Sequence, residues 1–417
     1  MVSALTNARR HIAVIGAGPA GLMAAEVLAE AGHAVTVYER MPSPARKFLI
    51  AGRGGLNLTH SEPLDLFLSR YGGNSAAIRK AVEDFPPERL VAWAHGLGQE
   101  TFTGSSGRIF PRAMKSSPLL RAWLKRLENL GVLLKTRHTW TGFAANHDVV
   151  FATPGAVSLH VAHDAVVLAL GGASWPRLGS DGGWVSILKT AGAGITPLSP
   201  ANSGVLIEWS NILAGRFAGQ PLKRIAVTAG GVTRRGEAMI TRTGLEGGVI
   251  YALSRDIRSA LGDTGCTSLT IDLKPGMSLE DLTGRLSRPR GAQPLTNFLR
   301  KAASLEAAAI SLLREPGPLP SQPAALAGRI KALPLTIIGV AGLDRAISTA
   351  GGVQLTDLTE NFMLKPRPGV FVAGEMLDWE APTGGYLLQA SFATGHAAAK
   401  GVLDWLHRQS LSGEQLE

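Results

Sequence analysis

The sequence is poor in cysteine and contains no long apolar run. Cys266 is the single cysteine among 417 residues, which excludes an internal disulfide, a cysteine-based metal cluster and a two-thiol redox relay within one chain. No stretch approaches the ~18 consecutive apolar residues of a membrane span, and the start, MVSALTNARR, lacks the apolar segment of a secretory signal. We therefore expect a cytoplasmic protein with no membrane partner.

Acidic residues are also in deficit. The chain has 32 Asp and Glu against 42 Lys and Arg, which gives a net charge of +10 and a pI near 10.0. Such a surplus attracts an anionic substrate, a phosphate-rich cofactor or nucleic acid. Because no basic run and no stripe of basic and aromatic residues is present, we expect a small-molecule substrate, with nucleic acid as the less favoured partner.

Glycine, by contrast, is abundant, and so are hydrophobic residues. The 50 glycines cluster in short turns, a pattern typical of backbone that approaches a ligand closely. Hydrophobic residues make up 45% of the chain, which is enough for a full core and for two or three domains.

The first glycine cluster has the order of a dinucleotide-binding unit. The apolar run 12–15 predicts a buried strand, and residues 34–38 predict a second strand that leads to Glu39. Between them lie a turn with G-x-G-x-x-G spacing and a helix start, formed by Gly16, Gly18, Pro19, Ala20 and Gly21. These glycines permit a tight turn, the approach of a pyrophosphate and close helix packing, and the acidic residue accepts hydrogen bonds from a ribose diol. The pattern predicts a dinucleotide and leaves NAD and FAD open.

Further glycine segments favour a flavin. Residues 47–60 read KFLIAGRGGLNLTH, and a loop of bare backbone beside cationic and amide side chains suits a flat, polar-edged ring and a diphosphate. The predicted strands 165–170 and 370–373 each deliver glycine to the carboxyl edge of a parallel sheet, where such sheets bind ligands. A long helix is predicted from Tyr386 onward, and its start can donate N–H groups to a ring that becomes anionic on reduction. The candidate binding residues in and beside these segments are Arg40, Lys47, Gly52, Arg53, Gly54, Gly55, Asn57, Leu58, Gly171, Gly172, Gly374, Glu375, Gly384, Gly385, Tyr386 and Leu387.

The order of these segments resembles the two-domain flavoproteins of the glutathione-reductase superfamily. The stretches AGRGGLNLTH, LGGASWPRLGSDG, TRTGLEGG and AGEMLDWEAPTGGYLLQASFATG resemble, more specifically, the bacterial BaiN-like or aminoacetone-oxidase-like flavoproteins, over nearly the whole chain. The resemblance implies non-covalent FAD, with the pyrophosphate on the turn at 16–21 and the adenosine ribose on Glu39. It further implies a flavin beside Lys47 and the loop 52–57, with the ribityl chain and pyrimidine edge on the C-terminal glycine segment.

Two segments depart from the pattern of these relatives. Leu56 stands where many of them have a cysteine before the asparagine, and RTGLEGG stands where they have HTGLSGP, with Arg242 for histidine and Glu246 for serine. A mechanism that uses that cysteine or histidine is not carried over to this chain. Arg242 and Glu246 are weak candidates for facing a substrate, since a surface ion pair explains them equally well.

The pattern and the resemblance together predict an α/β fold. We expect a Rossmann-like FAD-binding domain of the glutathione-reductase type at 1–195 and 345–417, interrupted by an insert at 196–344. The insert is expected to contain a β-barrel at 196–275 and a helical part at 276–332. The substrate is expected between the insert and the flavin, because clefts between domains are usual ligand sites.

These features predict an FAD-dependent oxidoreductase that acts on a small molecule by hydride transfer to or from the flavin. No second G-x-G-x-x-G occurs, so either NAD(P)H as a transient reductant or oxygen is expected as the other partner. Two alternatives stay open: a tRNA-modifying flavoprotein, which the net charge favours, and a non-catalytic or redox-sensing flavin-binding protein. Tyr386 is either a proton donor or a tyrosine satisfied at a helix start. No metal site is predicted, because His60, His95 and His396 lack ligand spacing.

Overall fold

The computed structural model describes residues 9–413 except 53, 73, 74, 263 and 264. The chain divides into two compact units. The first unit runs to Ser199 and resumes at Thr349, and the second unit is Pro200–Ser348. The domain boundaries expected from the sequence lie four residues earlier at each end of the insert.

A five-stranded parallel sheet forms the centre of the first unit. Its strands, first to fifth in chain order, are His11–Ile15, Ala34–Glu39, Leu133–Thr136, Ala165–Leu168 and Val370–Val372. In space the order is fifth, fourth, first, second and third, and every neighbouring pair is parallel. The first, fourth and fifth strands are almost wholly buried, as their continuous apolar runs predict for strands covered on both faces. Because all five strands point the same way, their carboxyl ends lie along one edge.

Two long helices pack together in the first unit. The helix Pro19–Glu30 follows the first strand, and the C-terminal helix Tyr386–Gly413 crosses it closely. At Gly395 a side chain would collide with the carbonyl oxygen of Ala20, so this crossing requires glycine. The other helices of the unit are Arg46–Ala51, Leu64–Leu68, Ala76–Asp84, Pro87–Gly96, Ser116–Asn129 and Trp184–Thr190. No helix in the described part of the chain has the length and apolar character needed to cross a membrane.

The helix Pro19–Glu30 is anchored through a buried acid that sequence patterns did not single out. The carboxylate of Glu26 accepts hydrogen bonds from the indoles of Trp93 and Trp123 and pairs with Arg126 at 2.8 Å. A buried carboxylate is tolerated only when such partners replace water. This contact ties the glycine-turn helix to the helix Ser116–Asn129.

Short apolar runs that alternate with turn residues over 131–165 predict a small β-meander, and the meander in the structure is shorter. Only Thr139–Phe143, Val149–Thr153 and Ala156–Val161 form the antiparallel meander, whereas Leu133–Thr136 joins the parallel sheet beside the second strand. Alternating apolar residues identify a strand but not its partner, and here the partner lies about a hundred residues earlier. There are two further small sheets. One has three strands, Thr59–His60, Arg108–Pro111 and Thr101–Thr103, and the other pairs Ile195–Ala201 with Ser348–Val353.

The second unit is built on one antiparallel sheet. Its strands, in spatial order, are Leu333–Ile337, Thr267–Asp272, Pro221–Ala229, Val232–Ile240, Gly244–Glu246, Val205–Leu206 and Gly339–Val340. The two outermost strands of this order are separated in the chain by Ile338 alone, so one bent segment closes the sheet into a barrel. The helices of the unit are Asn211–Arg216, Gly248–Tyr251, Ser254–Leu261, Leu279–Leu286, Leu295–Ala302, Ala307–Leu312 and Pro323–Lys331.

The closing strand corrects the expected extent of the barrel. The barrel was expected to end at 275, but its last two strands follow the helical part. Apolar residues at helical spacing predict one helix over 297–313. The structure has two helices, which are interrupted at 303–306, where Ser304 has a φ of 49° that is incompatible with a right-handed helix. Ser278 and Asp281 have a spacing that resembles a capping box. The structure confirms the helix start, since the Ser278 hydroxyl accepts a hydrogen bond from the Asp281 N–H at 3.0 Å.

Burial of His396 makes the stability of the first unit depend on pH. The side chain is 5% exposed, and burial, assisted by Arg89 and Lys400, lowers its pKa from 6.5 to about 4. Because the unfolded chain binds this proton more readily, the free energy of unfolding should fall as pH drops from about 6.5 towards 4. Denaturant unfolding at pH 7 and pH 5 should show a smaller drop for His396→Gln than for the parent. His407→Gln, an exposed position on the same helix, is the control, and an equal drop in all three proteins would contradict the assignment.

Candidate functional site

The carboxyl edge of the parallel sheet brings the predicted glycine segments together. The first strand runs into Gly16, the fourth leads to Gly171, the fifth leads to Gly374, and the second ends at Glu39. Gly374 also approaches the opening helix, since a side chain there would lie 2.8 Å from the Cβ of Ala20. Segments more than 350 residues apart in the chain therefore meet at one place.

The three glycines of the first turn occupy three different environments. Gly16 has a φ of +105°, and a side chain there would collide with the carbonyl oxygen of Ala169. A side chain at Gly21 would collide with the carbonyl oxygen of Gly16. Gly18 has no atom within 4 Å of where its Cβ would lie, and no side chain caps the helix that begins after it. Two glycines thus allow close packing, while the third leaves an open surface at a helix start, where anions bind.

Glu39 is held in place by the backbone of the same turn. Its carboxylate oxygens accept hydrogen bonds from the N–H groups of Ala17 at 3.0 Å and Met41 at 2.8 Å. Burial raises the pKa of Glu39, and these two donors act in the opposite direction. Each oxygen retains a lone pair that can accept from a hydroxyl group. The neighbouring Arg40 pairs with Asp181 at 2.6 Å.

Lys47 and Glu375 form the polar centre of the site. The Lys47 Nζ lies 2.7 Å from the Glu375 Oε2 and 2.7 Å from the Ser174 Oγ. The backbone N–H groups of Gly172 and Thr349 donate to the same Glu375 carboxylate at 3.3 and 3.0 Å. Three predicted residues therefore share one network. The roles of Ser174 and Thr349 were not predicted, and Thr349 lies in no recognisable motif.

Lys47 does not lie in a loop, as the glycine-rich sequence had indicated. It belongs to the short helix Arg46–Ala51, which Gly52 ends. Gly54 has open space where a side chain would lie, and Gly55 adopts a φ of +109°. Arg53 was predicted here as well but lies outside the described residues.

The loop after this helix ends in a buried amide. Leu58 is fixed by a hydrogen bond from its N–H to the Ile109 carbonyl at 2.8 Å, and Leu56 is fully buried. The side-chain oxygen of Asn57, between them, is buried and has no hydrogen-bond partner. A buried acceptor in this state is the kind of group that a bound ligand or an ordered water satisfies.

The C-terminal helix starts against the same loop. Gly384 and Gly385 have φ values of +129° and +102°, and a side chain at Gly385 would lie 2.6 Å from the backbone of Thr59. The hydroxyl of Tyr386 donates to Glu62 at 2.6 Å. Leu387 follows on the helix and is half-buried. The predicted residues 384–387 and 57–58 are thus brought to neighbouring positions.

The residues present fit a large, phosphate-bearing ligand. Besides the oxygen of Asn57, the Ser180 Oγ and the Arg46 Nε are buried without a partner, and Ser180 lies beside Gly171. Three orphaned polar atoms on three segments, together with the open surface at Gly18, are the features that an absent ligand with several polar groups explains.

The two candidates in the second unit do not pair with each other. Glu246 lies 3.5 Å from Arg345. Arg242 is exposed and has no ion pair among the described residues. Nothing in their surroundings distinguishes them from ordinary surface charges.

Comparison with known proteins places this arrangement in a family. Residues 10–401 match the HI0933-like protein Rossmann domain. The chain belongs to this family. The predicted BaiN-like relationship and the Rossmann-type α/β fold with a parallel sheet and an insert are thereby confirmed.

Two curated relatives cover the chain almost completely. It is 27% identical over 414 residues to a 3-dehydro-bile acid delta(4,6)-reductase of Clostridium scindens, covering 94% of this chain and 99% of the relative. It is 23% identical over 409 residues to the ribosomal RNA dihydrouridine synthase of Escherichia coli, covering 94% and 97%. Among solved structures, a 3-ketosteroid delta1-dehydrogenase from Sterolibacterium denitrificans matches with a TM-score of 0.53 and 14% identity, over 94% of this chain and 99% of that one. That structural match shows a shared fold.

The predicted class of the protein is confirmed. The chain is an enzyme and an FAD-dependent oxidoreductase. A flavin-binding protein without catalytic activity, one of the alternatives left open by the sequence, does not agree with this class.

The environments of Gly18 and Gly21 predict that the same substitution affects mainly FAD binding at the first position and mainly stability at the second. Gly21→Ala should lower the free energy of unfolding by about 2 kcal/mol, since the methyl group meets backbone. Gly18→Ala should change it by less than about 0.5 kcal/mol but should weaken FAD binding roughly tenfold or more, because the methyl group occupies the open surface. Urea unfolding of the apoprotein and FAD titration measure the two quantities. Equal effects of the two substitutions on both quantities would refute the assignment.

Proposed function

We propose that the chain binds FAD non-covalently along the carboxyl edge of its parallel sheet. The pyrophosphate would lie on the open surface at Gly18 and the adenosine ribose at Glu39. The flavin would lie beside Lys47 and Asn57, with Glu375 near the ribityl chain. The full set of proposed contacts is Gly16, Gly18, Pro19, Ala20, Gly21, Glu39, Arg40, Lys47, Gly52, Arg53, Gly54, Gly55, Asn57, Leu58, Gly171, Gly172, Gly374, Glu375, Gly384, Gly385, Tyr386 and Leu387. The observation that carries the proposal is the meeting of these segments around orphaned polar atoms.

The reaction we propose is reduction of a carbon–carbon double bond conjugated with a carbonyl group. The names of both curated relatives describe such chemistry, at positions 4 and 6 of a 3-dehydro-bile acid and at the uracil ring of RNA. Held by these residues, FAD would supply the hydride chemistry, with NADH or NADPH as the source of the hydride that is delivered to the carbon β to the carbonyl. The α carbon takes a proton, so one reduced nicotinamide is consumed for each double bond. The reductant docks transiently, since the chain has a single G-x-G-x-x-G.

The residues of the chain itself would position the bound cofactor and stabilise the charge that it acquires. Lys47 neutralises Glu375 at 2.7 Å, so that this carboxylate adds little repulsion where a flavin gains electrons. The backbone donors at the start of the C-terminal helix offer a partial positive charge for the reduced ring. Neither contribution requires the cysteine or histidine found in other members of the BaiN-like group.

Anaerobic mixing with nicotinamides tests this function. The purified protein, loaded with FAD, should be yellow and should lose its absorbance near 450 nm when NADH or NADPH is added without oxygen. A conjugated enone should then restore the colour, whereas the matching saturated ketone should not. Persistent colour with both nicotinamides would contradict the reductase and favour a substrate-fed oxidase. A protein that stays colourless after addition of FAD would overturn the cofactor assignment itself.

A second candidate is the same chemistry on RNA. Between residues 200 and 348 the sequence has 18 Lys and Arg against 11 Asp and Glu, so this unit carries seven of the ten net positive charges. Its helical part exposes a group of basic side chains that make no ion pair within the described residues: Arg285, Arg288, Arg290, Arg300 and Lys301. A cluster of like charges without acidic partners is the footprint expected for a polyanion.

Salt dependence separates the two candidates. If RNA is the substrate, retention of a ribosomal RNA transcript should fall steeply with salt, by a log–log slope of about 0.7 to 0.9 for each phosphate contact. Replacing Arg288, Arg290 and Arg300 with glutamine should then reduce the slope by roughly 2 to 3. The exposed Arg112, which pairs with Glu100 in the first unit, provides the control Arg112→Gln. Weak retention with no change in slope would leave the small-molecule function.

A further inference from the structure

A buried carboxylate holds the first residue of the C-terminal helix. The Glu62 Oε1 accepts the hydroxyl of Tyr386 at 2.6 Å. Arg70 donates to both oxygens of Glu62 at 3.0 and 2.7 Å. The side chain of Glu62 is only 8% exposed, against 37% for Arg70. We call these three side chains the Glu62 cluster.

The backbone at the start of the C-terminal helix is also held by buried contacts. The hydroxyl of Tyr71 donates to the Tyr386 carbonyl at 2.8 Å in a buried contact. Gly385 lies against the backbone of Thr59. One turn further on, the Gln389 side chain accepts from the Thr59 hydroxyl at 2.8 Å and donates to the Phe85 carbonyl at 2.6 Å. The start of the helix is therefore fixed through both its backbone and its side chains.

The geometry argues against Tyr386 as a proton donor to a substrate. Its hydroxyl hydrogen is already committed to Glu62. Burial, together with the carboxylate of Glu62, raises the pKa of Tyr386 above its ordinary value. Loss of the proton would place two negative charges side by side. Tyr386 is thus held neutral and oriented, as expected for a residue whose task is to hold its surroundings.

We propose that Glu62 and Tyr386 are positioning residues for the flavin. Arg70 orients Glu62, Glu62 orients Tyr386, and Tyr386 fixes the turn at Gly384 and Gly385 so that the N–H groups of the helix start are aimed at the pyrimidine edge of the ring. These donors stabilise the negative charge that the ring acquires on reduction, which raises its reduction potential. The inference rests on the proposed function, because it requires FAD at this edge.

The sign of the change in potential tests the inference. In the FAD-loaded enzyme, Tyr386→Phe and Glu62→Gln should both make the flavin midpoint potential more negative and weaken FAD binding severalfold. Removing the charge of Glu62 would, through space alone, make the potential less negative, because a carboxylate opposes reduction of a nearby ring. A negative shift for Glu62→Gln therefore indicates lost positioning. The double variant should shift no further than the larger single effect, since both substitutions break one chain of contacts.

Matched variants and separate readouts keep the outcomes distinct. Tyr251→Phe, a half-buried tyrosine of the second unit, and Glu100→Gln, an exposed acid of the first, should leave the potential unchanged. An unchanged or less negative potential in both cluster variants, with or without a lower melting temperature, overturns the inference. If Tyr386→Phe does not fold, Glu62→Gln decides alone. A parent protein that takes up no FAD would instead overturn the proposed function, which this inference presupposes.

Discussion

The close backbone contact at the first glycine turn is the constraint on which the site depends. Gly16 lies against the carbonyl of Ala169, and Gly21 lies against the carbonyl of Gly16. At these contacts the backbones of the turn, the opening helix and the end of the fourth strand lie too close together for a side chain to fit between them. Glu39, Gly171 and Gly374 reach the same edge because the second, fourth and fifth strands run parallel to the first in one sheet. A side chain at either glycine would force the backbone that it meets to shift.

Sequence patterns identify those parts of the site that are local in the chain. The turn at 16–21, the acid at 39 and the helix start at 386 each follow from spacing within some thirty residues. The partner of the strand Leu133–Thr136 and the closing strand of the barrel depend on residues far away in sequence, and periodicity carries no information about them. For the same reason nothing in the sequence indicated that Leu333–Ile337 and the residues after it complete a barrel that includes the strand Val205–Leu206.

The side chains that sequence reasoning missed are those whose importance comes from a partner. Ser174 matters because Lys47 reaches it, and Thr349 because Glu375 accepts from its backbone. Glu62 lies two residues beyond a recognisable motif and shows its role only through Tyr386. The secondary structure expected at Lys47 was wrong, since the helix propensity of RKFLIA was masked by the glycines that follow.

The relatives show how much this arrangement can vary. At 27% and 23% identity the chain retains nearly the full length of two enzymes whose names point to a steroid acid and a ribosomal RNA. A fold that serves both does not determine its substrate.

The pairing of Ile195–Ala201 with Ser348–Val353 has a consequence for how such a protein can change over time. The chain leaves the first unit and returns to it through these two paired strands. The second unit, of about 150 residues, is therefore inserted at one point of the first. The inserted unit can become longer or shorter, or be replaced, while the parallel sheet of the first unit keeps its register. Chimaeras between distant homologues should be spliced at these two strands.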